Sequence, residues 1–72
     1  MYAVIQVNSE GVPYFCKLFN ADEKDKALDL AIEIVLKIDR DLESDCTRDE
    51  LENDGYMYVA NDTVAILLTE DA

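Results

Sequence analysis

An α+β two-layer sandwich, with one long helix laid across a four-stranded antiparallel sheet, is the fold class the sequence predicts. Three observations predict it. Between Lys24 and Leu42 apolar residues recur at three- and four-residue spacing. Two strand-like runs precede that segment and two follow it, in the order ββαββ. Turn-forming clusters join the runs with no linker, repeat or low-complexity stretch between them. Seventy-two residues form one domain, 1–72.

Tyr2 to Val7 (YAVIQV) is β-branched and aromatic and reads as a strand over about 2–7. Asn8-Ser9-Glu10-Gly11 follows as a turn, with Gly11 suited to a positive φ. The second strand covers about 13–19, with Pro13 at its start or at a sheet edge because it has no N–H to donate. Alternation puts Tyr14, Cys16 and Leu18 on one face and Phe15, Lys17 and Phe19 on the other.

The helix is expected over about 23–42. Leu28, Ala31, Ile32, Val35, Ile38 and Leu42 stack on one side, and Ala27, Leu30 and Ile34 widen the arc, with Leu36 beyond it. Asn20 or Asp22 is the expected N-cap, and acids at the start suit the helix dipole. So broad an arc means that the helix is sandwiched within its own domain or meets a partner.

Thr47-Arg48-Asp49-Glu50 matches a capping box and predicts a short helix over about 48–53, closed by Gly55. Strands over about 56–60 and 63–69 then form a hairpin around Asn61-Asp62. The uncovered sheet face is expected to carry some of Tyr2, Tyr14, Tyr56 and Tyr58.

Charge is the outstanding compositional feature. The net charge is −11, and residues 39–54, with eight acids and two bases, hold −6 of it. Such a field repels nucleic acid and anionic lipid and attracts basic surfaces. Half of the residues are hydrophobic, which separates the chain from a disordered acidic tail. Cys16 and Cys46 lack a disulfide-scaffold spacing, Met1 runs straight into a strand with no basic leader, and no apolar run spans a membrane. The expectation is a cytoplasmic protein with reduced thiols.

Catalysis is not expected. Histidine is absent, no serine or cysteine has a triad partner, and Gly11 and Gly55 are the only glycines, so no phosphate loop exists. No cofactor is called for. Asp39, Asp41, Glu43, Asp45, Thr47 and Glu50 do fall at positions 1, 3, 5, 7, 9 and 12 of a twelve-residue segment that resembles an EF-hand calcium loop. Against that minor alternative, Ser44 replaces the turn glycine, Glu43 is long for its position, and the exiting helix is short.

The acid itself suggests a role. Asp39, Asp41, Glu43, Asp45, Asp49, Glu50, Glu52 and Asp54 are the candidate partner-binding residues, extended by Asp22, Asp25, Asp29 and Glu33. Proteins that grip nucleic acid line grooves with Lys and Arg, and a rigid row of carboxylates can occupy such a groove in its place. In size, charge and fold type the whole chain resembles the small acidic anti-defence proteins of phages, such as anti-CRISPR and DNA-mimic antirestriction proteins. The resemblance implies a non-catalytic inhibitor that binds a nucleic-acid-handling complex. It transfers no individual residue, because those proteins share no motif. The alternative is a small dimeric interaction module that docks through the helix arc and the tyrosines, with acid for solubility alone.

Overall fold

The computed structural model of the protein describes residues 1–68. It is an α+β fold: a four-stranded antiparallel sheet in the order β2-β1-β4-β3, with two helices packed against one face. The elements are β1 (Tyr2–Val7), β2 (Pro13–Phe19), α1 (Lys24–Ile38), α2 (Ser44–Asp54), β3 (Tyr56–Val59) and β4 (Asp62–Leu68). The expected position 69 of the last strand lies outside the described residues.

Each hairpin has a local cause. Asn8 closes the first, its Oδ1 accepting from the N–H groups of Glu10 and Val12 at 3.0 Å while Gly11 takes a φ of 81°. The second turns at Ala60-Asn61, one residue earlier than expected. Asp62 is drawn into β4 opposite Val59, which leaves Ala60 in the left-handed region at φ 53°. Gly55 ends α2 at φ 80°, as expected of a left-handed C-cap, and its carbonyl accepts from the Ile66 N–H.

The core lies between sheet and helices. Val4, Val64, Met57 and Val59 face Ala27, Leu28, Ala31, Ile32 and Val35 of α1 and Leu51 of α2. The broad apolar arc is thus used within the domain: α1 packs on the sheet and on α2, with Leu30, Ile34 and Leu36 half-buried against the core.

Three helix expectations are corrected. First, α1 stops at Ile38 rather than near 42. Asp39 is extended, its Oδ1 accepts the Asp41 N–H at 3.1 Å, and Leu42 packs on the core from a loop. Second, neither Asn20 nor Asp22 caps α1. Glu23 holds that position, and its carboxylate instead accepts from the Asn20 N–H and from Lys26 Nζ. The Asn20 N–H first, and Lys26 next, hold the Glu23 carboxyl below its ordinary range. Third, α2 begins at Ser44, so Thr47 lies inside it. There is no capping box: Thr47 is buried and its hydroxyl donates to the Glu43 carbonyl at 2.8 Å.

Register settles the two sheet faces. Across the outer face, Leu18, Ala3 and Leu67 form one row. Cys16, Ile5, Ala65 and Tyr56 form the next, and Val7, Thr63 and Tyr58 the last. None of these ten residues is Asp, Glu, Lys or Arg. Tyr2 lies on the opposite, helix-covered side. Tyr14 also leaves the face expected for it. A bulge between Gln6 and Val7 leaves it unpaired, and its hydroxyl donates to Asp62, whose Oδ2 also accepts from Gln6 Nε2 at 3.1 Å.

Candidate binding surface on the helical layer

The eight candidate acids all belong to the helical layer. Asp39, Asp41 and Glu43 occupy the connection between the helices, and Asp45, Asp49, Glu50, Glu52 and Asp54 lie on α2. Asp39 is half-buried and the other seven are exposed. The helical period divides the α2 acids into two stripes. Asp45, Asp49 and Glu52 stand at i, i+4 and i+7, roughly opposite the buried Thr47 and Leu51, while Glu50 and Asp54 form a flanking pair.

Little positive charge offsets them. The ion pairs among the described residues are Lys26–Glu23, Lys37–Glu33 and Arg48–Asp29. Arg48 is the only base on α2, and it turns toward α1. None of the eight acids is in an ion pair among the described residues. The α1 extension is different, because Asp29 and Glu33 are engaged while Asp22 and Asp25 are exposed with no ion pair among the described residues.

Local energetics run against this placement. The last turn of α2 holds Glu52 and Asp54 and no base, although carbonyl dipoles at a helix C-terminus favour cations. Asp45 with Asp49, and Glu50 with Asp54, are like charges four apart, each pair costing about 0.2–0.5 kcal/mol. Two buried side chains, Thr47 and Leu51, hold the helix to the core.

The arrangement offers a charged surface beside one small cleft. A cleft of about 220 Å³ opens between the start of α1, the end of α2 and strands β1 and β4. It is lined by Tyr2, Leu28, Leu51, Ile66 and Leu68 together with Lys24, Glu52 and Gly55. Pockets for small ligands usually exceed this, at about 300–1,000 Å³. The calcium-loop reading needs residues 39–50 to wrap around one point. Residues 44–50 are instead helical, and no group of three or more Cys, Asp or Glu among the described residues is placed to hold a metal ion. Both thiols are free and exposed. No helix among the described residues is long and apolar enough to cross a membrane.

What sequence reasoning missed is the outer face of the sheet as an uncharged surface. The available signal was the absence of Asp, Glu, Lys and Arg from alternate positions of all four strands. Comparison with known proteins adds no assignment: no protein family, curated protein or solved structure matches the chain.

Proposed function

We propose that this protein is a non-catalytic acidic binding protein. In this reading its helical layer occupies a basic, nucleic-acid-binding surface of a partner and so inhibits it, in the manner of an anti-CRISPR protein or a DNA mimic. One observation carries the proposal: α2 keeps carboxylates where they oppose its own stability, at its C-terminus and in like-charge pairs. Solubility alone does not require acid at those positions. Natural proteins break such local rules at functional sites.

The mechanism is occlusion. Duplex DNA carries one charge per about 1.7 Å of axis, and the exposed stripes of α2 with the 39–43 connection present carboxylates to the same Lys and Arg groups. Attraction speeds encounter, and salt weakens it. A second reading, a dimeric interaction module, draws support from the uncharged outer face of the sheet.

The test is capture from a cell lysate by the tagged protein, with bound material displaced by increasing salt or by duplex DNA. The expected result is a nucleic-acid-binding protein released by both. Capture of nothing, or of a protein that DNA does not displace, overturns the occlusion reading.

A further inference from the structure

We infer that the cleft between the two helices and strands β1 and β4 is an anchor site. It takes one large apolar side chain from a segment of the partner in which that residue adjoins Lys or Arg. The inference rests on the proposed function and adds to it a point of attachment that is not electrostatic.

Position comes first. Glu52 is the third member of the Asp45, Asp49, Glu52 stripe and also lines the cleft, so the acidic surface borders the cleft directly. A partner lying along α2 therefore reaches the cleft at the C-terminal end of that helix.

The walls suit an apolar side chain. Leu28 and Leu51, 1% and 2% exposed, line the cleft with the half-buried Ile66. Leu68, also in the lining, is 71% exposed, the most exposed leucine among the described residues. Covering such a side chain contributes about 25 cal/mol per Å² of apolar surface removed from water. A volume of about 220 Å³ is small for a free ligand and suits a single side chain, the form in which anchors occur at protein interfaces.

Charge selects what adjoins the anchor. Lys24 and Glu52 both line the cleft, yet they are not paired with each other and are in no ion pair among the described residues. Each also opposes its own helix. Lys24 is the first residue of α1, where the dipole favours anions, and Glu52 lies in the last turn of α2, where it favours cations. A peptide segment answers both charges: its backbone carbonyl accepts from the Lys24 ammonium, and a neighbouring Lys or Arg meets Glu52. At a net charge of −11 the protein repels a segment with acid in that place. A free apolar molecule leaves both charges unanswered.

The test is a titration of the isotope-labelled full chain with the blocked dipeptide N-acetyl-Phe-Arg-amide, read by the backbone amide signals of Gly55, Ile66 and Leu68. Saturable shifts of these signals in the millimolar range are expected. Binding is expected to be at least tenfold weaker for N-acetyl-Ala-Arg-amide, for N-acetyl-Phe-Glu-amide, and for the Leu68→Ser variant, whose far-UV spectrum is unchanged. No shift, or equal binding of the Phe-Arg peptide and either of the other two, overturns the inference while the acidic surface stands. The same variant separates the two readings in the lysate. Equal capture of a nucleic-acid-binding protein by parent and Leu68→Ser overturns the anchor alone, and capture of nothing by the parent overturns both.

Discussion

Tyr14 shows how one residue out of register acquires a new role. The bulge releases it from pairing, and its hydroxyl donates to the Asp62 carboxylate across β1. That hydrogen bond first, then desolvation and the nearby negative charge, raise the phenol above its ordinary value. A phenol whose folded pKa is raised contributes stability in full below its unfolded value, and loses it as pH rises through the folded one. Tyr14→Phe is therefore expected to be less stable than the parent at neutral pH, with the difference shrinking above about pH 10. Urea midpoints at neutral and alkaline pH measure this, and a constant difference contradicts it. Ala60 makes a second residue-scale case. Its φ of 53° places a Cβ in the left-handed region, at a cost of roughly 1–2 kcal/mol. Ala60→Gly removes that cost while adding flexibility to the unfolded chain, so a net gain of up to about 1 kcal/mol is expected in thermal melts.

At the scale of elements, helix α2 combines little anchorage with adverse charge. Thr47 and Leu51 hold it to the core, while Glu52 and Asp54 oppose the dipole of its last turn. Neutralising Asp49, Glu52 and Asp54 to Asn, Gln and Asn is expected to stabilise the protein by about 1 kcal/mol, a rise of roughly 4–8 °C in Tm for a domain of this size. A fall in Tm contradicts the view that these acids are locally unfavourable. The same helix marks where the sequence was legible and where it was not. Strands β1 and β2, the faces of β2 apart from Tyr14, and Gly55 as C-cap all follow from local pattern. The limits of the helices do not. Leu42 continues the apolar period of α1, yet it reaches the core from a loop because Asp39 captures the Asp41 N–H. Thr47 matches a cap motif, yet tertiary burial beside Leu51 draws the helix back to Ser44. Periodicity identifies which side chains meet the core and is blind to which backbone delivers them.

On the scale of the whole molecule, the fold separates two kinds of surface. The helical layer carries the eight acids of the 39–54 segment, and the outer face of the sheet carries no charge. Composition revealed the acid and its clustering. The sheet register, which depends on pairing between distant strands, was needed to show that the opposite face is uncharged. Leu36, which lies beyond the apolar arc of α1 in the sequence, packs partly against the core. In the proposed function the α2 carboxylates serve binding at the expense of stability. This is tested most directly by comparing capture of the partner by the parent protein and by the Asp49→Asn, Glu52→Gln, Asp54→Asn variant at equal concentration and low salt. At least tenfold less capture by the variant is expected, chiefly through slower association, from a protein that is folded and no less stable. Equal capture by parent and variant would contradict it.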